Sequence, residues 1–264
     1  MPLTTAALWL RRYHPAPDAA VRLLWLPHAG AGAAYYAPMA RELAPDVDVL
    51  AVQYPGRQDR YREPPLDDLR TTAAWVVEAV LALDDRRPLA LFGHSMGAWV
   101  GYEAALLLER AGTPPLGLFA SGRRAPTVPH EGAHLHDQSD RALLADVRRI
   151  SGTDARLFDD EDLARLVLPA LRADYKAMET YEPRPAERLS CPLTVLTGED
   201  DPLTAPAATA PWSDRTTGPT ARHTFPGGHF YLKDRQREFL DVLRGELLAI
   251  AGPAQDSILP HHEK

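Results

Sequence analysis

Three residues spread along this 264-residue chain have the types and surroundings for nucleophilic acyl chemistry: Ser95, Asp201 and His229. A serine hydroxyl is a poor nucleophile at neutral pH, so it needs a base, and the base needs an orienting carboxylate. Ser95 stands in Gly93-His94-Ser95-Met96-Gly97, a G-x-S-x-G turn behind the apolar run Pro88-Leu89-Ala90-Leu91-Phe92. An Ala/Leu-rich, helix-compatible stretch follows from Ala98. The bare motif is weak, but a strand before it and a helix after it are the context of a nucleophile elbow. The glycines fit a turn too tight for side chains beside a serine held in a strained backbone.

The base is expected after the last strand, where Pro226-Gly227-Gly228-His229-Phe230 ends a strand and precedes a helix. Of the ten histidines, His229 alone combines a position after Ser95 with such a boundary; His223 sits within the preceding strand and reads as structural. The carboxylate is sought in Thr197-Gly198-Glu199-Asp200-Asp201-Pro202, in the loop leaving a strand. Asp201 is the first choice, Asp200 the close alternative and Glu199 the distant one. A tetrahedral oxyanion also needs backbone donors. The amide of Met96 is one. The second is assigned to Ala29, with His28 the alternative, in the glycine-rich loop Leu26-Pro27-His28-Ala29-Gly30-Ala31-Gly32. That loop lacks the spacing of a phosphate or dinucleotide site.

These residues require a scaffold of alternating strands and helices, which indicates a mainly parallel sheet covered by helices. Strands are predicted at Val21–Leu26, Val47–Val52, Leu89–Phe92, Leu116–Ala120, Leu193–Leu196 and Ala221–Phe225. Helices are predicted at Tyr35–Leu43, Leu69–Leu83, Ala98–Ala111 and about Arg235–Ile250. The rhythm breaks between Arg123 and Pro185, which opens on a Pro/His/Gly-rich loop and then reads as amphipathic helices. Leu143, Leu144, Val147 and Ile150 share one helical face; Leu163, Leu166, Val167, Leu171, Tyr175 and Met178 share another. Asp159 to Asp162 would supply acidic residues to the second helix's first turn. Residues 1–122 and 186–252 are therefore read as the core, 123–185 as a helical lid insertion and 253–264 as a loose tail.

Composition narrows the function classes. A formal net charge of −7 without a Lys/Arg run argues against nucleic-acid binding. The single cysteine, Cys191, rules out an intrachain disulfide framework and suits a reducing compartment; it reads as a small apolar residue. The apolar patch Ala6–Leu10 is too short for a membrane span and has its arginines on the wrong side for a signal peptide. A cytoplasmic protein is expected. His130, His134 and His136 lie close together but read as a solvated loop, and His261 and His262 as idle, so no metal is assigned. Arg123, Arg124, Arg148 and Arg149 are candidates to meet an acidic partner.

The chain resembles the stand-alone type II thioesterases of polyketide and nonribosomal peptide pathways. The resemblance is carried by Pro27-His28-Ala29-Gly30, Tyr54-Pro55-Gly56-Arg57, Gly93 to Gly97, Ser121-Gly122-Arg123-Arg124-Ala125-Pro126, Arg172-Ala173-Asp174-Tyr175, Gly198 to Pro202 and His229. It runs from about Leu24 to Ile250; Ala31 stands where relatives often carry a second glycine. It implies an α/β-hydrolase fold with a helical lid and a Ser95–Asp201–His229 triad. It further implies hydrolysis of acyl thioesters on the phosphopantetheine arm of acyl or peptidyl carrier proteins, which clears stalled or wrongly loaded groups. No cofactor of the enzyme's own is expected, the phosphopantetheine arriving on a transient partner, and the enzyme is expected to be a monomer. His28, Trp99, Tyr102, Met178 and Tyr181 are candidates to line an acyl pocket, although core packing suits Trp99 and Tyr102 as well. The alternatives are a hydrolase of small soluble esters or acyl-CoA, and a silent carrier-binding module.

Overall fold

The computed structural model describes residues 4–85, 87–129, 134–151, 161–184 and 186–252. Its strands are β1 (Leu10–Arg11), β2 (Val21–Leu26), β3 (Val47–Val52), β4 (Leu89–His94), β5 (Leu118–Ser121), β6 (Leu193–Gly198) and β7 (Thr220–Phe225). They form one sheet in the order β1-β3-β2-β4-β5-β6-β7. β1 runs antiparallel to β3, and every other neighbouring pair is parallel.

Both sheet faces are covered, so β2, β3 and β6 are buried at every position and read as continuous apolar runs rather than alternating ones. The two-residue period still sorts their side chains. Val21, Leu23 and Trp25 enter a core with helices α2 (Ala37–Leu43) and α9 (Gln236–Ala251). Leu24 and Leu26 enter the opposite core with α3 (Leu69–Leu81) and α4 (Met96–Arg110).

All predicted strands and helices are present, with ends displaced by at most two residues. The sequence reading missed α1 (Thr5–Trp9), the two-residue β1 and the one-turn helices α7 (Pro206–Thr209) and α8 (Tyr231–Asp234). Each is too short to carry a period.

Between β5 and β6 lie α5 (Asp140–Ser151) and α6 (Glu161–Glu179). Leu143 on α5 and Leu171, Tyr175 and Met178 on α6 are buried, as their helical spacing requires. Leu166 departs from the predicted face and is 55% exposed. Val167, the next residue, packs against the core in its place. Asp159, Asp160, the side chains of Asp162 and Leu163, and also His130, Pro185, His261, His262 and the expected tail 253–264, lie outside the described residues. Among the described residues no helix is long and apolar enough to cross a membrane.

Candidate active site

β4 delivers the chain to Ser95 at φ 54° and ψ −115°, a left-handed conformation that a non-glycine residue rarely adopts. The strain is held from both sides. The Ser95 amide donates to the Ser121 carbonyl at 2.8 Å, and α4 starts at once with Met96. A Cβ on Gly93 would lie 2.0 Å from the Gly97 carbonyl oxygen, and one on Gly97 would lie 2.1 Å from the Leu26 carbonyl oxygen. Only glycine fits either position. The Met96 amide is the first of α4, one of the N-terminal donors that a helix leaves without an internal acceptor.

The loop after β6 brings Asp201 to His229, whose Nδ1 lies 2.8 Å from Asp201 Oδ2. Both side chains are almost wholly buried. The second carboxylate oxygen accepts from the Leu203 amide at 2.9 Å. Amides of Glu199 and Asp200 donate to Phe225 and Gly227 carbonyls, tying the acid loop to the histidine loop. Of the three candidate acids, Asp201 is buried against His229, whereas Glu199 and Asp200 point to solvent. With the His229 Nδ1 proton held by a carboxylate, Nε2 is the ring nitrogen free to take a proton.

Ser95, His229, His28 and Ala29 border one cavity of about 1120 Å³. Val147 of α5 and Val167, Leu171 and Met178 of α6 line it from the helical side. His28 and Met178 thus stand where an acyl pocket was expected. Trp99, Tyr102 and Tyr181 do not. Trp99 is 2% exposed and donates its indole N–H to the Arg124 carbonyl. The Tyr102 hydroxyl donates to the Glu187 carbonyl and its ring packs on Trp212; the Tyr181 hydroxyl donates to Glu103 beneath Trp99. Each needs a buried acceptor for its polar tip, and the core behind the cavity supplies one.

Several residues of the site have contacts that their linear motifs do not announce. His94, wholly buried, lies with its ring centroid 4.8 Å from that of His229. Its Nδ1 is 2.8 Å from Ser121 Oγ, which is 2.6 Å from the Tyr231 hydroxyl. Burial, and then the neighbouring His229 and His28, hold His94 well below the usual imidazole range. His28 is pushed down to about 3, first by burial and then by His229 and Arg57. Both rings are therefore neutral walls, and His28 is anchored through Nδ1 to the Tyr36 hydroxyl at 2.6 Å.

A second group fixes the loop that holds Ala29. Arg57 meets Asp174 of α6 in a two-pronged ion pair at 2.7 and 2.8 Å, with both side chains buried. The Arg57 guanidinium also donates to the Ala31 carbonyl, and Asp174 accepts from the Gly30 amide at 2.7 Å. The two motifs containing these residues stand 117 positions apart, and nothing in one predicts its partner in the other.

Among the other sequence candidates, His134 and His136 come together with Glu179, their ligand-type atoms within 4.8 Å of one another. His136 is not a solvated loop residue. Its Nδ1 lies 2.5 Å from Glu179 Oε2, and the Leu135 and His136 amides donate to the same carboxylate. His223 pairs with Glu246 on the outside of β7. Cys191 is buried, its thiol pushed up to about 12 by desolvation and then by Glu109.

A serine in a strained strand-to-helix turn, with a carboxylate-oriented histidine across a shared cavity, can carry out acyl transfer to water. A model of the thioesterase domain matches residues 21–247. The chain belongs to the thioesterase family. It is 48% identical to thioesterase PikA5 of Streptomyces venezuelae over 94% of this chain and 88% of that one. It is 47% identical to a probable cadicidin biosynthesis thioesterase of Streptomyces griseus, over 94% of this chain and 67% of its relative. The type II thioesterase BorB of the borrelidin cluster superposes with a TM-score of 0.85 at 45% identity, covering 91% of this chain and 98% of BorB. This thioesterase accordingly has the α/β-hydrolase fold.

Proposed function

We propose that this thioesterase hydrolyses acyl thioesters carried on the phosphopantetheine arm of acyl or peptidyl carrier proteins, as an editing enzyme of polyketide or nonribosomal peptide assembly. The observation that carries the reading is Ser95 opening into the same cavity as a buried, Asp201-paired His229. His229 Nε2 takes the Ser95 proton as Oγ attacks the thioester carbonyl. The oxyanion rests on the amides of Met96 and Ala29. Collapse expels the pantetheine thiol, protonated by His229. Water, deprotonated by the same nitrogen, then releases the acid and restores Ser95. Asp201 keeps the ring in the required tautomer and stabilises the imidazolium. No group beyond these residues and water enters the reaction. Residues 123–185 act as the lid, with α5 and α6 shaping the acyl end of the cavity and the arm entering from the carrier side. The partner binds transiently to a monomeric enzyme in the cytoplasm.

The test is a matched acyl series offered on a carrier protein, as a free thioester and as an oxyester. Carrier-bound thioesters should be preferred, and Ser95→Ala should abolish their turnover. Asp201→Asn should lower kcat by about 10⁴-fold, the loss seen when a triad acid is neutralised, while the solvent-facing Asp200→Asn stays near wild type. A preference for free oxyesters would retain the triad and remove the carrier protein from the reading.

A further inference from the structure

The wall of the cavity that Ser95 lines holds a cation with no part in the acyl transfer proposed above. Arg123 borders the cavity and is only 7% exposed. Its guanidinium lies over the Trp99 ring, with Cζ 3.9 Å from the centroid. Its Nε–H has no hydrogen-bond partner, and no carboxylate stands within ion-pair distance of it among the described residues. The acids nearby are already engaged. Asp146 serves the Tyr175 hydroxyl and Arg149, and Glu179 serves His136 and two amides. A buried, unpaired guanidinium is costly unless something supplies an oxygen.

Its position is fixed by the fold. The Arg123 carbonyl accepts from the Trp212 indole N–H, and the Arg124 carbonyl accepts from that of Trp99, both at 2.9 Å. Gly122, immediately before, approaches so closely that a Cβ there would sit 3.3 Å from His229 Cε1. Trp99 follows Ser95 by one turn of α4, a rise of about 6 Å along the helix axis, and the guanidinium stacked on it lines the same cavity as Ser95. Arg124, with its Cζ 4.9 Å from the centroid of the same ring, donates its Nε–H to the Val128 carbonyl. Burial inside a partly apolar cavity depresses Arg123 to about 9, so it still carries its proton at neutral pH.

We infer that Arg123 is a specificity-determining residue that receives an oxygen of the acyl chain, a carbonyl or carboxylate lying beyond the thioester carbonyl. The enzyme is therefore selective for oxygenated acyl groups over plain alkyl ones of equal length. A carrier-facing role for Arg123, open on sequence alone, is excluded by its burial.

The inference rests on the thioesterase reading, and one experiment separates the two. N-acetylcysteamine thioesters of pentanoyl, 3-oxopentanoyl, 4-oxopentanoyl and glutaryl groups are compared by kcat/KM for wild type, Arg123→Met and Arg123→Lys. In wild type at least one oxygenated substrate should exceed pentanoyl by about 10-fold or more, the measure of one hydrogen bond to a charged group. In Arg123→Met that ratio should fall to near one. Arg123→Lys keeps the charge but lacks Nε, and should hold a glutaryl preference while losing an oxo preference. The Tm of Arg123→Met should not fall, because an unpaired buried cation is removed. A uniform loss across the series, or a ratio unchanged in both variants, would overturn the assignment. Wild type turning over all four substrates without preference defeats only Arg123. Failure to turn over any of them defeats the thioesterase reading itself.

Discussion

Replacing Asp174 with asparagine should cripple catalysis without touching the substrate. Asp174 pairs with Arg57 through two hydrogen bonds and accepts the Gly30 amide, and neither charged side chain reaches solvent to any extent. Removing one partner of a buried pair strands the other charge, at a cost of about 3–5 kcal/mol. At about 2–4 °C per kcal/mol for a chain near this size, Tm should fall by roughly 6–20 °C. The catalytic loss arises next door. The Gly30 amide belongs to the peptide that follows Ala29, so loosening it frees the backbone at Ala29 and lets the Ala29 N–H, proposed above as an oxyanion donor, turn out of line. A whole oxyanion donor is worth about 10²–10³ in kcat; partial misalignment should cost about 10- to 100-fold, with KM changing less than about threefold. The double variant Arg57→Met/Asp174→Leu removes both charges and should recover much of the stability but not kcat, because Gly30 still lacks its acceptor. Steady-state kinetics on a short acyl thioester, run well below each variant's Tm, decide the matter. A stable Asp174→Asn with wild-type kcat would refute the coupling of α6 to the oxyanion loop. Full recovery of kcat in the double variant would show that only the stranded charge mattered.

Two further outcomes follow from the same geometry. His94 and His28 are disfavoured as imidazolium in the folded chain and titrate near 6.5 when unfolded, so the unfolded state binds more protons below that pH. Their stabilising contribution is complete above about pH 6.5 and is lost on acidification, approaching 1.4 kcal/mol per pH unit for each fully coupled ring. His94 has no solvent exposure and should give nearly the whole proton, whereas His28 borders the cavity and gives less. Urea unfolding between pH 5 and 7.5 should show a shallower pH slope in His94→Gln; an equal slope would mean His94 protonates in place. Gly122→Ala puts a Cβ 2.5 Å from His94 Cε1 at a φ of +59°. The displaced His94 ring should push His229 off line and lower kcat by about 100-fold, as a 1 Å error at a reacting group can. Wild-type kcat in that variant would show that the two rings move independently.

What the sequence made legible is what is local. Ser95 was readable because its turn sits between a strand and a helix, and His229 because two glycines mark the end of a strand. Asp201 could be ranked above Asp200 and Glu199 but not separated from them, since all three occupy one turn and only the folded chain shows which carboxylate is buried against His229. The α6 face was misassigned at Leu166 because one residue of rotation separates an exposed position from a packed one. Tyr231 was not singled out, and His94, Asp174 and Arg123 were quoted within motifs or as a surface candidate without the roles the fold gives them; all four act through partners brought in by the sheet order. β5 lies between β4 and β6, so Ser121 can receive the Ser95 amide, bond to His94 and reach Tyr231 at the same time. The same crossing places Gly122 and Arg123 beside α4, which begins at Met96. Arg123 and Arg124 are identical in type and adjacent in sequence, yet one finds a carbonyl for its Nε and the other is left facing the cavity without one. That difference is not in composition, period or motif. It arises because the chain turns back at Val128 to offer a carbonyl to the Arg124 Nε–H, whereas among the described residues nothing meets that of Arg123, which is stacked on Trp99.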